Sequence, residues 1–403
     1  MSSIASPPTT FRITTRGTFL LHLNFLLTGI VMTFLGPMLP ILAARWVMSD
    51  AVSGRLYLTQ FISSMFGMFS SALVVRRRGY RFTFIVGLAL MASGMALLAY
   101  GPFVQGIIAV AILGFGHGIT TPAGNLRTAD VNPQRSASAL NVINAAWGFG
   151  AMCSPLLIKA ADHGHHTAWF LDGMSAALSL LLVLFLVARF VPDGHAGGAE
   201  SDGLKSRVWR ARILPAICAL FFVYVGTETS FGAWVATYAH RLGSSTSTSW
   251  TMAPFFFYGA MLIGRASAPL ALKRLREVKV AEIGLTLALL GGITLVTAQS
   301  MAPVLVGSFL AGLGLASIFP ISVSLFPRWF SQDARRASGA IFASGNLGGA
   351  VLPWLVGEVS TRSGSLRVAF FVPLVSVASM LGFYLTNSRP LPEAAEARSR
   401  GAG

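Results

Sequence analysis

Glu228 is the only acidic residue that lies deep within a long apolar stretch of this sequence. The acids Asp172, Glu282 and Glu358 fall near the ends of such stretches. A charged side chain at the centre of a bilayer costs about 2.5 to 3.5 kcal/mol on insertion scales, so its presence needs a reason. Because burial favours the neutral form of a carboxyl group, Glu228 is predicted to carry a proton. The alternative is a structural hydrogen bond to a neighbouring helix.

A second group of polar residues recurs at helical spacing. Gly114, His117, Gly118, Thr121 and Asn125 follow one another at intervals of three or four residues and therefore share one helix face. Within a bilayer, such a face must contact protein or a water-filled cavity. His117 is a candidate to accept a proton or to bind a solute. A neutral histidine bonded to a facing helix is the alternative.

Asn141 and Asn144 share another helix face, with Trp147 beside them. Amide groups both donate and accept hydrogen bonds, which suits an uncharged ligand with many hydroxyl groups. Hydrogen bonds between helices are the alternative, as is an aromatic belt for Trp234 and Tyr238. The candidate binding residues are polar or aromatic side chains within apolar stretches: Asn24, Asn125, Asn141, Asn144, Trp147, Tyr224, Trp234, Tyr238 and Asn346.

The overall composition excludes a water-soluble enzyme. Of 403 residues, 54% are hydrophobic and 11% are charged, whereas about 25% are charged in a soluble domain. The two cysteines, Cys153 and Cys218, lie in apolar stretches and are predicted to be inert packing residues. We expect no cofactor and no metal site. ATP-driven pumping is not expected either, because the sequence has no Gly-x-x-x-x-Gly-Lys-Ser/Thr motif.

The apolar stretches predict an all-α membrane protein with twelve transmembrane helices in two pseudo-symmetric six-helix bundles. A helix needs about 20 apolar residues to cross a hydrocarbon layer of about 30 Å. The predicted spans are 17–42, 53–75, 82–103, 105–126, 136–157, 167–188, 214–239, 249–272, 280–299, 302–326, 337–360 and 367–386.

Lysine and arginine are distributed unevenly between the two sides of these spans. The segments on the side of the termini hold 23 of the 30 basic residues, and the opposite segments hold 6. This asymmetry predicts that both termini are cytoplasmic in a multi-pass protein of the cell membrane. The net charge of +16 is then expected to lie against anionic lipid head groups. Nucleic acid is not an expected partner, because the basic residues are spread over many segments.

The longest connection on the basic side divides the spans into six and six. It contains Gly194, Gly197, Gly198 and Gly203 among charged residues, a composition typical of a flexible link. The predicted domains are an N-terminal bundle, a cytoplasmic central loop, a C-terminal bundle and a cytoplasmic tail, at residues 1–190, 191–211, 212–390 and 391–403.

The two halves carry an internal repeat. Five glycine or proline positions in the first half recur in the second half at the same offset of 198 residues. One or two coincidences would mean little, but five at one offset indicate a duplication. The five pairs are Gly114 and Gly312, Gly116 and Gly314, Pro122 and Pro320, Gly150 and Gly348, and Pro155 and Pro353.

Two duplicated halves of six helices in the same topology resemble the major facilitator superfamily over almost the whole chain. The family signature after the second span, commonly Gly-x-x-x-Asp-Arg-x-Gly-Arg, aligns with Ala72, Arg76, Arg77, Gly79 and Tyr80. Only Arg77 and Gly79 match, and an arginine stands in the acidic position. The resemblance implies secondary transport of a small solute by alternating access, at a site between the halves, by a monomer.

The seventh span is similar to the element Tyr-Val-Gly-x-Glu of the fucose and glucose permease-like branch. The matching residues are Tyr224, Gly226 and Glu228, followed by Trp234 and Tyr238. The stretch 312–320 in the tenth span is similar to that branch as well. This resemblance implies a sugar as the solute, and proton-driven import is the main functional hypothesis.

Charged residues at the cytoplasmic ends of the spans are candidates for a gate. Arg76 or Arg77 is predicted to pair with Asp130, and Arg274 or a neighbouring basic residue with Asp333. Solvated surface charges are the alternative, because exposed ion pairs contribute only about 0 to 1 kcal/mol.

Two other functions stay open at this point. Efflux of drugs or metabolites by an antiporter is the first, although Gly150 is followed by Ser154 and Pro155 rather than by the Gly-Pro of the antiporter signature. A membrane-embedded enzyme is a remote alternative, because the only concentration of possible ligands is a short loop with Asp162, His163, His165 and His166.

Overall fold

The computed structural model describes residues 15–163, 166–187, 213–243, 248–324 and 334–386, and helices account for nearly all of them. No strand occurs in these ranges. The helices are α1 (Thr15–Thr33), α2 (Leu35–Trp46), α3 (Asp50–Tyr100), α4 (Phe103–Val131), α5 (Ser136–His163), α6 (Thr167–Val187), α7 (Ile213–Leu242), α8 (Met252–Leu272), α9 (Glu277–Thr297), α10 (Met301–Leu315), α11 (Ile318–Ser324), α12 (Ala334–Ser363), α13 (Leu366–Ala369) and α14 (Phe371–Thr386).

The lengths and hydropathy of these helices confirm an all-α, multi-pass membrane protein. In the described residues, 10 helices are long and apolar enough to cross a membrane, or 11 when a bent pair is included. Helix α3 has 51 residues and is interrupted at Gly79, where φ is 80° and ψ is 170°. A helix of that length is about 75 Å long, which is enough for two spans. The count of twelve stays a prediction.

Helices α1 and α2 form the bent pair, with an angle of 41° between them. Pro37 has no N–H with which to continue the helical hydrogen bonds at Thr33, and Pro40 interrupts them again one turn later. The Met38 amide resumes the pattern by donating to the Phe34 carbonyl at 2.9 Å. The bend therefore has a local cause in the sequence.

The helices form two compact units. The first unit comprises Met1–Met32, Ser63–Ala151 and His166–Glu200, and the second comprises Thr33–Ile62, Met152–His165 and Ser201–Gly403. The second unit thus contains α2 and the beginning of α3, although both precede the central connection in the sequence. Within this unit, α2 packs against α7. The division of the chain at the central connection stays a prediction.

Glycines bring helix backbones into contact at equivalent places in the two repeats. In the first unit, a Cβ atom on Gly150 of α5 would overlap the Leu26 carbonyl oxygen of α1. In the second unit, a Cβ atom on Gly348 of α12 would overlap the Phe222 carbonyl oxygen of α7. Gly150 and Gly348 are one of the pairs separated by 198 residues. The packing therefore repeats where the sequence repeats.

A second glycine pair shows the same relation. Gly116 of α4 lies against the Gly87 carbonyl oxygen in the second part of α3, and Gly314 of α10 lies against the Gly284 carbonyl oxygen of α9. Small residues at such crossings let helices approach closely in a bilayer, where van der Waals contact and hydrogen bonds drive association.

Gly348→Ala is expected to lower the thermal unfolding midpoint of the detergent-solubilised protein. The added methyl group would separate α12 from α7, and forcing extra atoms into a packed interface costs about 1 to 3 kcal/mol. Gly382 of α14 is the matched control, because nothing lies within 4 Å of a Cβ atom placed there. Gly382→Ala should leave the midpoint unchanged or slightly higher. Equal midpoints for the two variants would contradict the predicted contact.

Candidate functional site

Helix α7 carries an acidic side chain near its centre. Oε2 of Glu228 accepts a hydrogen bond from the hydroxyl of Tyr224, which lies one helical turn earlier on the same face. Oε1 of Glu228 lies 3.5 Å from Nη2 of Arg265 on α8. Each carboxylate oxygen therefore faces one donor. The Glu228 side chain is 17% exposed and the Arg265 side chain is 27% exposed, so neither charge is sealed inside the second unit.

The Tyr224 hydroxyl has a second acceptor within range. It lies 3.4 Å from the Leu315 carbonyl oxygen at the end of α10. A phenol has a single proton to donate, so it cannot serve both acceptors at once. The side chain is buried, and its ring lies 6.1 Å from that of Phe319. These contacts hold the hydroxyl beside Glu228 with little freedom to move away.

Arg265 supplies the positive charge of the site. A Cβ atom on the preceding residue, Gly264, would overlap the side chain of Ala316, so α8 approaches the chain after α10 closely at this level. Nη2 of Arg265 faces Glu228, whereas Nε is buried and has no hydrogen-bond acceptor among the described residues. A guanidinium group stays protonated in proteins, so its charge must be balanced locally. Glu228 provides that balance.

An aromatic cluster lies beside the tyrosine. The Phe319 ring is 5.7 Å from the Phe221 ring and 6.1 Å from the Phe342 ring. Phe221 belongs to α7, Phe319 to α11 and Phe342 to α12, so three helices contribute to this apolar surface. Aromatic rings at these separations pack favourably in tilted or edge-to-face arrangements.

His117, the second predicted proton-coupling residue, lies in the first unit. Its Nδ1 is 3.4 Å from the Ser64 hydroxyl of α3, and its Nε2 is 3.1 Å from the Thr121 hydroxyl on its own helix. Both ring nitrogens thus have a hydroxyl neighbour, and a hydroxyl can donate or accept. This arrangement accommodates a neutral imidazole. A role in proton coupling stays a prediction for His117.

The predicted amide groups of α4 and α5 come close to each other. Nδ2 of Asn144 lies 3.5 Å from Oδ1 of Asn125 and donates to the Leu140 carbonyl at 2.8 Å. Asn141 and Asn144 are exposed, and Trp147 is partly buried one turn further along α5. Because both Nδ2 protons of Asn144 have an acceptor in range, a hydroxylated solute would bind at the Asn144 oxygen.

Asn24 differs from the other amides. Its side chain is fully buried in α1, and neither its oxygen nor its nitrogen has a hydrogen-bond partner among the described residues. Buried amide groups are normally satisfied, so such a group requires an explanation. Thr28, on the same face, instead donates to the carbonyl of Phe25 at 3.0 Å.

Three of the predicted binding residues use their polar groups within the protein. The indole N–H of Trp234 donates to the Pro353 carbonyl at 2.8 Å, and the side chain is fully buried. The Tyr238 hydroxyl donates to the Ala298 carbonyl at 3.2 Å, and the Asn346 amide donates to a carbonyl one turn earlier on its own helix, at 3.0 Å. For all three, a role in solute binding stays a prediction.

The predicted gate residues are only partly connected. Asp130 accepts a hydrogen bond of 2.5 Å from the Tyr80 hydroxyl. Arg76 and Arg77 are exposed, and among the described residues no ion pair within 4.0 Å joins either of them to Asp130. Arg274 is exposed, and Asp333 lies outside the described residues. Both proposed gate pairs therefore stay predictions.

A charged network that the sequence analysis did not anticipate lies at the other end of α7. Asp50, the first residue of α3, accepts two hydrogen bonds from the Arg241 guanidinium, at 2.9 and 2.5 Å. Ser360 of α12 donates to the same carboxylate at 2.5 Å, and the Ala51 amide donates to the Thr361 hydroxyl at 2.8 Å. Bidentate arginine–carboxylate pairs are among the stronger polar contacts, so α3, α7 and α12 are joined here.

The first two turns of α3 reinforce this network. The Tyr57 hydroxyl donates to the Ala233 carbonyl of α7 at 3.3 Å. A Cβ atom on Gly357 would overlap the Asp50 carbonyl oxygen, and one on Gly54 would lie 3.0 Å from the Cα atom of Trp354. Within the second unit, this end of α3 is therefore packed closely against α7 and α12.

Arg265 and Asp50 are the functional candidates that sequence reasoning missed. Arg265 is the basic residue that the charge count leaves within a predicted span. A lone base and a lone acid in adjacent spans are expected to pair, so this signal was available. Asp50 gave no such signal, because a charge at the end of a span is ordinarily solvated.

Comparison with known proteins decides the family. The profile of the Major Facilitator Superfamily matches residues 21–300 and 268–402. The chain belongs to the major facilitator superfamily. It is therefore a membrane transporter for a small-molecule solute rather than an enzyme.

Curated relatives within this superfamily cover most of the chain. The glucose/galactose transporter of Brucella abortus is 23% identical over 337 residues, which are 78% of this chain and 80% of that protein. The glucose/mannose transporter GlcP of Bacillus subtilis is 23% identical over 359 residues, which are 85% of this chain and 88% of that protein.

Solved structures share the fold. A variant of the nucleoside transporter NupG superimposes with a TM-score of 0.76 at 15% identity, covering 92% of this chain and 98% of that one. The fucose:proton symporter FucP of E. coli superimposes with a TM-score of 0.62 at 19% identity, covering 93% and 99%. These likenesses confirm the predicted all-α major facilitator fold, without fixing the number of spans.

Arg241→Ala is expected to loosen the packing of α3 against α7 and α12. The reporter is a single cysteine at Ser53, a buried residue of the first turn of α3, in a background in which Cys153 and Cys218 are replaced by serine. In the purified protein, a water-soluble maleimide should label this cysteine several times faster when Arg241 is absent, because the segment separates more often.

Arg362→Ala is the matched control for this measurement. Arg362 pairs with Glu358 at 3.7 Å, but both residues lie on α12 and bridge no helices. Its loss should leave labelling unchanged. If Arg241→Ala also leaves the rate unchanged, the Asp50 network does not hold this end of the helices together.

Proposed function

We propose that the protein imports a sugar of the hexose class across the cell membrane together with a proton. The support for a sugar comes from the two curated relatives, which are named for glucose with galactose or mannose. Those names favour a sugar over a drug as the transported solute. The support for proton coupling is the Glu228 site, together with the structural likeness to a fucose:proton symporter.

The observation that carries the proposal is the environment of the Glu228 carboxylate. One oxygen accepts a hydrogen bond from Tyr224, and the other faces the positive charge of Arg265. When the carboxyl group takes up a proton, it becomes a donor and the Tyr224 hydroxyl can accept from it. The phenol proton then turns to the Leu315 carbonyl, 3.4 Å away. Both forms of Glu228 therefore have hydrogen-bond partners, as a reversible proton carrier requires.

The exposed edges of Glu228 and Arg265 are proposed to face a water-filled path. A charge exposed to hydrocarbon is unfavourable, and intramembrane ionisable groups normally line cavities or contact protein. Water is needed there, because a proton must reach the carboxylate from the aqueous phase. In the first unit, the exposed amides of Asn141 and Asn144 are proposed to bind sugar hydroxyls.

The remaining features of the proposal follow from the charge pattern and the internal repeat. Both termini are proposed to be cytoplasmic, because the basic residues accumulate on their side. Two bundles, 1–190 and 212–390, are proposed to alternate access to the solute as a monomer. The cytoplasmic gate is proposed to involve Arg76 or Arg77 with Asp130.

Glu228→Gln is expected to abolish uphill uptake of labelled D-glucose, D-galactose or D-mannose into proteoliposomes with an imposed pH gradient. Glutamine cannot carry a proton, but it resembles the protonated acid in shape. Exchange of labelled for unlabelled sugar at equal pH should therefore be retained in part. The wild-type protein should accumulate sugar faster as the outer pH falls.

Glu358→Gln serves as the control for this experiment. Glu358 is paired with Arg362 near the end of α12 and is the same residue type at a site without a proposed role. It should accumulate sugar like the wild type. Undiminished uphill uptake by Glu228→Gln would refute the assignment of the proton carrier.

Asn144→Ala is expected to weaken sugar affinity by about 1 to 3 kcal/mol, because a sugar hydroxyl would lose its partner. Asn132→Ala is the comparison, since Asn132 also donates to a carbonyl one turn earlier on its own helix, at 2.9 Å. Asn132 is not proposed to bind sugar, so the Asn132→Ala variant should keep the wild-type KM for sugar uptake. An unchanged KM for sugar uptake in Asn144→Ala would show that this amide contributes to helix packing and does not bind sugar.

A further inference from the structure

A groove on the surface of the second unit lies between α9 and α14. Its volume is about 270 Å³. Ile283 and Leu287 of α9 and Leu381 and Leu385 of α14 line it with branched aliphatic side chains. Ile283 is 44% exposed and Leu385 is 55% exposed, so the groove opens to the surroundings of the protein. Because both helices belong to candidate membrane spans, those surroundings are lipid acyl chains.

Two opposite charges stand at one end of this groove. Lys279 and Glu282 lie in the first two turns of α9, and Nζ of Lys279 is 3.1 Å from Oε2 of Glu282. The lysine side chain is 59% exposed, whereas the glutamate side chain is 13% exposed and forms part of the groove wall. Ion pairs at the surface contribute little to stability, so a charged ligand can replace this pair.

The aliphatic wall and the two charges together match one class of amphiphile. A phospholipid brings an acyl chain for the wall and a phosphate for Lys279. A headgroup that ends in a primary ammonium can also donate to the Glu282 carboxylate. Phosphatidylcholine has no N–H to donate, because its nitrogen is fully methylated. Phosphatidylglycerol has no positive charge in its headgroup and would place negative charge beside Glu282.

We propose that the groove between α9 and α14 binds one molecule of phosphatidylethanolamine, with its phosphate on Lys279 and its ammonium on Glu282. One acyl chain then lies between Ile283 and Leu381. The Thr286 hydroxyl, which also lines the groove, donates to the Glu282 carbonyl at 2.8 Å, so its oxygen can accept a further hydrogen bond from the ammonium. This inference is independent of the transported solute and of the coupling ion.

Neighbouring charges also favour a phosphate at this end of the spans. Lys273, Arg274 and Arg276 precede α9 and are all exposed. Basic residues at a membrane surface attract lipid phosphates. These residues alone would favour an anionic lipid, and the choice of an ethanolamine headgroup therefore rests on Glu282. The experiment must compare the two kinds of lipid directly.

Mass spectrometry of the intact protein in detergent resolves the first bound lipid from later ones. The purified protein is titrated with phosphatidylethanolamine, phosphatidylcholine and phosphatidylglycerol that have identical acyl chains. The wild type should bind the ethanolamine lipid about tenfold more tightly than either of the others, the value of one hydrogen bond between charged groups. Saturation with this lipid should also raise the thermal unfolding midpoint, because the lipid binds the folded protein.

Two matched substitutions test the charge that selects the headgroup. Glu282→Gln removes the charge that attracts the ammonium, so it should reduce the affinity for phosphatidylethanolamine to that for phosphatidylcholine. Glu358→Gln is the control, because Glu358 also pairs with a basic residue on its own helix but does not line the groove. It should keep the preference of the wild type.

Two further substitutions test the apolar wall. Leu381→Trp places an indole in the groove and should weaken the binding of all three lipids several-fold. Leu290→Trp is the control, because Leu290 is 49% exposed on α9 and lies outside the groove lining. It should leave the affinities for all three lipids unchanged.

Three results would overturn the proposal. Equal affinities of the wild type for the three lipids would mean that only general lipid solvation occurs. Tighter binding of phosphatidylglycerol would make this a site for anionic lipids. A wild-type preference in Glu282→Gln would exclude the ammonium contact. None of these measurements requires transport, so their failure would leave proton-coupled sugar uptake untouched.

Discussion

The ion pair between Glu228 and Arg265 is the interaction on which the proposed function of this protein depends. Two opposite charges lie at the depth of the hydrocarbon layer, where each alone would be costly. Nη2 of Arg265 and Oε1 of Glu228 are 3.5 Å apart, so each charge balances the other. The Tyr224 hydroxyl completes the site, because it serves the carboxylate while the Leu315 carbonyl lies within its reach.

Helix α7 connects this pair to the rest of the second unit. It packs against α12 through Gly348, and its far end is held to α3 through Arg241 and Asp50. The same helix thus bears the Glu228 carboxylate and a contact that joins three helices at one end of the second unit. In the proposed function, this continuous helix is the physical route by which proton binding at Glu228 would affect that end.

The sequence predicts the fold well, because few backbone structures can cross a bilayer and hydropathy identifies the segments that do so. A helix satisfies its own backbone groups in a bilayer, so apolar stretches of about 20 residues predict the spans directly. The site is predicted less completely. Glu228 can be identified from the sequence, because an acid within an apolar span carries a large insertion free energy. The hydrogen-bond partners of Trp234 and Tyr238 cannot, because they are carbonyl groups of residues far away in the sequence. The hydrogen bonds of Asp50 form only where α3, α7 and α12 meet, and the spacing of residues along one helix does not predict that meeting point.

The most direct test measures proton movement driven by sugar alone. Proteoliposomes contain a pH-sensitive dye, with equal pH on both sides and the membrane voltage clamped by potassium and valinomycin. Addition of D-glucose outside should acidify the interior with the wild-type protein and leave the pH constant with Glu228→Gln. Entry of labelled glucose without acidification in the wild type, or acidification that persists in the variant, would contradict the account.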